Sequence, residues 1–152
     1  MAATASMFHK SRGATQDLEK EFKKTNFKNM FFEIGLQEAT SDKFSNLTTL
    51  SADEFSNKPL NRYYNVLAYD QTRVKIQLDR RDIYINANHV RIPDSGREYI
   101  LTQGPLEQTV DHFWLMCHQH KTTCIVMLCR CYENSREKSA KYWPTEVGET
   151  FR

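Results

Sequence analysis

The sequence has no apolar run that approaches the roughly 20 residues needed to span a bilayer as a helix, so we expect no membrane segment in it. The first sixteen residues also have no apolar block like the core of a signal peptide. They contain Lys10 and Arg12 but no acidic residue, a composition that suits either a disordered tail over residues 1–13 or a transit peptide. We favour the tail, and the cytoplasm is the expected location.

A large excess of charge of one sign is also missing. The chain has 21 Lys and Arg against 19 Asp and Glu, and the two signs are interspersed along its length. This pattern is not the basic patch of a nucleic-acid-binding protein, so no nucleic-acid partner is expected. With 152 residues, of which 39% are hydrophobic, the chain is long enough to bury the core of one globular domain.

No Cys-x2-Cys pair is present, although cysteine and histidine cluster in one short segment. The clustered residues are Cys117, His118, His120, Cys124, Cys129 and Cys131. A zinc-binding module is one interpretation of such a cluster. We favour buried free thiols in a reducing compartment, and expect neither a metal nor a cofactor, because these cysteines fall on a predicted helix and a predicted buried strand.

The segment from Tyr99 to Pro144 has the pattern of a strand, a helix and a second strand. The residues from Tyr99 to Thr102 are β-prone, and Pro105 can begin a helix because a first-turn proline loses no intrahelical hydrogen bond. One helical face is then apolar at Val110, Phe113, Trp114 and Cys117. The apolar run from Cys124 to Cys129 predicts a strand covered on both faces, and hence a parallel βαβ unit.

Helices are predicted before this segment as well. Leu18 and Phe22 form one apolar stripe on a charged helix from Ala14 to Lys24. A second helix, or a continuation of the first, is predicted from Asn26 to Leu36 and is stopped by Gly35. The polar stretch from Glu38 to Lys58 predicts a long connection, with one helical turn at Ala52 to Phe55.

Strands are predicted between the connection and the central segment. Val74, Ile76 and Leu78 alternate with polar residues, which predicts a half-buried strand from Arg73 to Leu78. A turn at Asp79 to Asp82 and a strand from Ile83 to Val90 follow, and a turn at Pro93 to Gly96 precedes the next strand. Antiparallel strands that feed a βαβ unit imply an α/β fold with a mixed sheet flanked by helices.

Five blocks in this order resemble a known family. The blocks are NRYYNVLAYDQTRV, YINAN, YILTQGPLEQTVDHFW, IVML and KYWP, between Asn61 and Pro144. Together they closely resemble the first half of a classical protein tyrosine phosphatase domain. The resemblance implies that residues 14–152 form the N-terminal portion of such a domain, a phosphotyrosine phosphatase-like fold that is incomplete because the C-terminal half with the catalytic loop is absent.

The resemblance also implies roles for individual residues. Tyr63 matches the ring that stacks on the substrate's phenyl group in this family. Asn65 matches the position that contacts the substrate backbone, and Val66 would line the same wall. Glu133 and Lys138 match a pair that helps to position the mobile acid loop and the catalytic arginine in relatives.

The catalytic residues of the family are not found in this sequence. Hydrolysis by this route needs a thiolate nucleophile, an arginine that grips the phosphate and a general acid, supplied in the family by His-Cys-x5-Arg and Trp-Pro-Asp loops. Cys124 and Arg130 satisfy Cys-x5-Arg literally, but the run between them is apolar and has no glycine. As a strand it would hold its ends about 20 Å apart, not in a phosphate cradle. Thr145 follows Trp143-Pro144 where an acid would be needed.

We therefore expect a fragment of a tyrosine phosphatase whose full-length form hydrolyses phosphotyrosine in proteins, with this chain itself inactive. Its substrate would be a phosphotyrosine protein, bound by the full-length form only. The alternative is a naturally truncated pseudophosphatase that acts as a protein-interaction module. Whether the chain counts as an enzyme is left open by the sequence.

Overall fold

The computed structural model describes residues 17–40, 45–146 and 148–149. The chain divides into two compact units, residues 1–46 and 47–152, which are described separately. The tail predicted over residues 1–13 lies outside the described residues.

Two helices lie among the described residues of the first unit. Residues 17–24 are helical (α1), as predicted, and α2 spans Phe27–Thr40. The Asn26 side chain caps α2 by accepting a hydrogen bond from the Asn29 backbone N–H at 3.1 Å. The predicted stop at Gly35 is wrong, because Gly35 does not adopt the left-handed conformation that ends a helix and α2 continues past it.

The second unit begins with a short helix, α3 (Leu50–Asp53), two residues before the helical turn predicted in this connection. Asp70 caps α3 from a distant part of the sequence. Its carboxylate accepts hydrogen bonds from the Leu50 N–H at 2.7 Å and the Ser51 N–H at 3.0 Å, and from the Thr48 hydroxyl at 2.7 Å. Desolvation alone would raise the pKa of Asp70, but these hydrogen bonds outweigh it and lower the pKa to about 2.

Replacing Asp70 should make the protein less stable in a pH-dependent way. We expect Asp70→Ala to lower the free energy of unfolding by about 1 kcal/mol at pH 7, the usual effect of losing a cap. Because the folded pKa lies below the ordinary value of 3.8, this contribution is present above pH 4 and is lost as the pH falls through about 2. Urea unfolding at a series of pH values tests this, with Asp82→Ala as an exposed control. An equal loss at pH 2 and pH 7 would contradict it.

Two antiparallel hairpins follow. β1 (Ile76–Leu78) pairs with β2 (Arg81–Ile83), and the predicted turn between them has positive φ at Asp79 and Arg80, as a type I′ turn requires. β3 (Ala87–Ile92) pairs with β4 (Arg97–Thr102) over all six residues of each strand. The strand predicted from Ile83 to Val90 is therefore divided.

Helix α4 (Val110–Gln119) lies on the core with the face predicted from its periodicity. The buried core residues are Val74, Ile76, Ile85, Ala87, Val110, Phe113, Met116, Cys117, Ala140 and Tyr142. Trp114 lies at the edge of this face, where its indole N–H donates to the Tyr142 carbonyl at 2.8 Å. The prediction that Pro105 begins the helix is wrong, because a 3-10 turn at Glu107–Thr109 comes first. The carbonyl of Pro105 instead accepts hydrogen bonds from distant residues.

The predicted buried strand from Cys124 to Cys129 does not form in the structure. This segment has no regular secondary structure, and Val126 is 73% and Leu128 94% exposed. The parallel βαβ prediction is therefore wrong for the described residues, in which every strand pair is antiparallel. A strand exists only beside a backbone partner, and none of the described strands pairs with this segment.

A tight hairpin is the last regular element among the described residues. β5 (Tyr132–Glu133) pairs with β6 (Arg136–Glu137) across Asn134 and Ser135, both at positive φ. The hairpin begins two residues after Arg130, at a place where a phosphate cradle would need the start of a helix. The literal Cys-x5-Arg match at Cys124 thus has no helix N-terminus behind it.

Candidate phosphotyrosine-recognition site

The candidate site is built on residues Asn61–Val66, which we call the recognition loop. This segment is neither helix nor strand, so its shape depends on side chains that hold its backbone. Tyr63 is 39% exposed, whereas Tyr64 is 92% exposed. The loop therefore presents Tyr63 as a ring that is partly supported by the protein and partly open to solvent.

The Arg62 side chain holds the recognition loop to the rest of the second unit. Its guanidinium donates to the carbonyls of Gly104 at 2.9 Å, Pro105 at 2.6 Å and Glu137 at 3.2 Å. It also forms an ion pair with the Glu137 carboxylate at 3.1 Å, while only 6% of the Arg62 side chain is exposed. Because the guanidinium offers five N–H groups in a rigid plane, one residue ties the loop to both the β4–α4 connection and β6.

Gln103 and Asn86 hold both ends of the recognition loop. The Gln103 amide N–H donates to the Leu60 carbonyl at 2.9 Å, and its oxygen accepts the Arg62 backbone N–H at 2.8 Å. The Asn86 amide donates to the Val66 carbonyl at 2.8 Å and to the Gln103 oxygen at 3.1 Å. Backbone groups that lack secondary-structure partners are thus satisfied by two amide side chains.

Asn61 begins the loop with three further hydrogen bonds. Its amide N–H groups donate to the carbonyls of Ala52 at 3.1 Å and Asn57 at 3.2 Å, and its oxygen accepts the Tyr84 hydroxyl at 2.7 Å. Burial raises the pKa of Tyr84 to about 12. The hydroxyl therefore stays protonated and donates throughout the physiological pH range.

Lys138 and Tyr63 lie together, although 75 residues separate them in the sequence. The Lys138 ammonium is 5.6 Å from the centre of the Tyr63 ring and 3.4 Å from its hydroxyl. This geometry is a cation–π contact at the edge of the candidate site. It places a positive charge beside the ring that the sequence singled out.

The other predicted site residues are Asn65 and Val66 on the recognition loop and Glu133 on the β5–β6 hairpin. Glu133 lies on β5, where its carboxylate accepts the Arg130 backbone N–H at 3.0 Å. Asn65 is exposed, and the Val66 side chain is 60% exposed. The structure thus joins Tyr63 with Lys138 directly, while the roles of Asn65, Val66 and Glu133 stay predictions.

Four residues that hold the site were given no role by the sequence. Arg62, Gln103, Glu137 and Gly104 occupy the junction between the recognition loop and β6. A Cβ atom on Gly104 would overlap the Lys138 carbonyl oxygen and lie 2.9 Å from the Ser139 Cβ, so only glycine fits this close approach. The sole sequence signal is Gly104 itself, which together with Pro105 predicts only the end of the preceding strand.

No group of three or more His, Cys, Asp and Glu side chains is placed to hold a metal ion within residues 17–40, 45–146 and 148–149. Of the clustered cysteines, Cys117 is buried, but Cys124 is exposed, so the expectation of buried thiols is wrong for Cys124. Burial raises the pKa of the Cys117 thiol, which keeps it protonated.

Within the part of the chain that the structure describes, no helix is long and apolar enough for a membrane span.

Comparison with known proteins identifies the family of the chain. The family model of protein-tyrosine phosphatase matches residues 57–152. The mouse tyrosine-protein phosphatase non-receptor type 2 is 52% identical over 93 residues, which are 61% of this chain and 23% of the mouse protein. A structure of PTPN18 in complex with HER2-pY1196 phosphopeptides matches with a TM-score of 0.68 at 37% identity, over 76% of this chain and 42% of that chain.

A second PTPN18 structure, which concerns distinct HER2 tyrosine phosphorylation sites, has a TM-score of 0.69 at 34% identity. It covers 88% of this chain, and the match spans 48% of the PTPN18 chain. The α/β, phosphotyrosine phosphatase-like fold class is therefore confirmed, over about half of the solved domain. The family model matches more than half of the residues of this chain, and the chain therefore belongs to the protein tyrosine phosphatase family.

Proposed function

We propose that the chain supplies the phosphotyrosine-recognition wall of a tyrosine phosphatase domain and does not itself hydrolyse phosphotyrosine. The observation that carries this proposal is the structure of the recognition loop. Its Tyr63 ring is partly exposed and in contact with Lys138, and Arg62 anchors the loop through its ion pair with Glu137. A rigid aromatic ring held by its neighbours loses little entropy when a second ring stacks on it. The substrate class of the whole protein is then a phosphotyrosine protein.

The same contacts explain why recognition by this chain alone is weak. Stacking on Tyr63 contributes about 0.5–1.5 kcal/mol beyond the area that it buries. Even a millimolar complex requires about 4 kcal/mol. The difference has to come from groups that grip the phosphate, and the Cys124 to Arg130 segment does not form a cradle that could do so.

The remaining predicted residues take supporting roles in this proposal. Asn65 and Val66, both exposed on the recognition loop, contact the peptide around the phosphotyrosine. Glu133, beside the turn of the β5–β6 hairpin, and Lys138, directly after β6, position the acid loop of a complete domain. We also propose a cytoplasmic location, which is supported by the free cysteines and the similarity to a non-receptor phosphatase.

A second candidate function is a protein-interaction module, which one observation favours. The first unit exposes many large apolar side chains: Leu18, Phe22, Phe27, Met30, Phe31, Phe32, Ile34 and Leu36. Phe31 is 81% and Phe32 71% exposed, which is unusual for residues that stay in water. A truncated pseudophosphatase could bind a partner through this surface.

A chimera tests the principal proposal. Residues 57–152 are joined to the remaining part of the catalytic domain of the mouse relative, and hydrolysis of a phosphotyrosyl peptide is measured. We expect activity, with the Michaelis constant raised about fivefold in Tyr63→Ala because about 1 kcal/mol of stacking is lost. Tyr64→Ala is the matched control, since Tyr64 is almost fully exposed and should leave the constant unchanged. A folded, active chimera that is insensitive to Tyr63→Ala would refute the role of this ring.

A further inference from the structure

Two histidine rings are in contact away from the recognition loop. His89 on β3 and His120 at the end of α4 have ring centroids 5.1 Å apart, with the rings inclined at 62°. His89 is exposed and His120 is partly buried, so the pair faces solvent on one side. The recognition site uses neither residue.

The hydrogen bond of His120 fixes which of its nitrogens is free. Its Nε2 lies 3.1 Å from the Lys75 carbonyl oxygen. Because a carbonyl can only accept, Nε2 carries the proton and donates, which leaves the Nδ1 lone pair available in the neutral ring. Histidine ligands of metals have this arrangement, in which the other ring nitrogen donates to a carbonyl and holds the ring in place.

Both histidines stand on anchored backbone. The Gln77 N–H donates to the Gln119 side-chain oxygen at 3.0 Å, and the Gln119 amide donates back to the Gln77 carbonyl, which fastens the end of α4 to β1. The His89 backbone N–H donates to the Thr72 carbonyl at 2.9 Å. The fold therefore holds the backbone at both histidines and, through the hydrogen bond to the Lys75 carbonyl, the ring of His120 before any ion arrives, which lowers the entropic cost of binding.

The spacing of the rings suits a shared ion. A tetrahedral ion bound by one nitrogen of each imidazole at about 2.1 Å holds the two ring centroids roughly 5 Å apart. We infer that His89 and His120 bind one divalent transition-metal ion of the kind that prefers imidazole, with water in the other positions. This inference is independent of the proposed phosphatase function and departs from the expectation, drawn from the sequence, that no metal binds.

The neighbouring charges and the number of protein ligands determine how tightly the site binds the metal ion. Lys75 and Lys121 are exposed and lie next to it in the structure or the sequence, so their ammonium groups oppose a cation. Two protein ligands rather than four also mean that the ion exchanges readily. The bound ion joins β3 to the end of α4, two elements that are distant in the sequence.

The full chain titrated with Ni²⁺ tests the inference, with the histidine ring protons followed by NMR. Nickel is preferred to zinc because the four cysteine thiols compete for the softer ion. We expect the lines of His89 and His120 to broaden at substoichiometric Ni²⁺, while those of His112 and His118 stay sharp. His89→Asn should weaken the effect on His120 at least tenfold, and His118→Asn, at another exposed histidine, should leave it unchanged.

Three results would overturn the inference. The first is that the NMR signals of His89 and His120 do not broaden with Ni²⁺, and the second is that those of His112 and His118 broaden equally. The third is that the His120 signals broaden in His89→Asn as they do in the natural protein. The first two need no variant and decide the matter even where a substitution disturbs folding.

Discussion

Arg62→Ala should lower the free energy of unfolding of the second unit by about 3 kcal/mol or more. The substitution removes four hydrogen bonds of the guanidinium and leaves the carbonyls of Gly104, Pro105 and Glu137 without that partner. A buried group that loses its partner costs about 1–3 kcal/mol, and removing one member of a buried ion pair costs about 3–5 kcal/mol. Glu137, which keeps about a third of its side chain exposed, can recover some solvation.

Urea unfolding followed by tryptophan fluorescence measures the effect, because Trp114 and Trp143 both lie in the second unit. The control is Arg91→Ala, which breaks an ion pair to Glu98 between side chains that are more than 70% exposed and should cost less than about 0.5 kcal/mol. Arg62→Lys should fall between the two, since an ammonium keeps the charge but not the planar fork. Equal losses for Arg62→Ala and Arg91→Ala would show that Arg62 does not anchor the recognition loop.

Gly104→Ala should have the second-largest effect, a loss of about 2–3 kcal/mol. Gly104 does not have positive φ, so alanine can adopt its backbone conformation, and the loss comes from the added methyl group. That group would overlap the Lys138 carbonyl, so the segment after β6 that carries Lys138 and Ser139 has to move. Lys138 should then leave the Tyr63 ring.

The same unfolding experiment, together with the chemical shifts of the Tyr63 ring, tests this prediction. The control is Gly35→Ala in the first unit, where a Cβ atom meets no atom within 4 Å, and it should leave both the unfolding of the second unit and the Tyr63 shifts unchanged. If Gly104→Ala kept both the stability and the Tyr63 shifts of the natural protein, the close approach of Lys138 and Ser139 to the β4–α4 connection would not matter for the site.

Local patterns predicted the elements whose signals lie within a few residues. The buried face of α4 followed from the spacing of Val110, Phe113 and Cys117, and the β3–β4 pairing joins segments that flank a single predicted turn. Periodicity indicates which face an element buries, but it does not indicate which partner covers that face. The apolar run from Cys124 to Cys129 has the sequence pattern of a buried strand, yet most of its side chains are exposed. None of the described strands pairs with this run, so it has no backbone partner beside which to form a strand.

The supports of the candidate site could not be predicted because they connect distant residues. Arg62 and Glu137 are 75 positions apart, and Asp70 caps a helix that begins 20 residues earlier. A single arginine or glutamine has no periodic signal that would identify its partner. The resemblance to the phosphatase family singled out Tyr63 and Lys138, whose contact the structure shows, but it gave no role to the buried residues that hold them.

The most direct measurement is phosphate release from a phosphotyrosyl peptide by the full chain and by its Cys124→Ser variant. We predict that neither releases phosphate above the rate of the buffer alone, because the mostly exposed Cys124 to Arg130 segment has no helix behind it whose N–H groups could bind a phosphate. Release by the natural chain that disappears in Cys124→Ser would contradict the view that this chain recognises a phosphorylated ring without cleaving its ester.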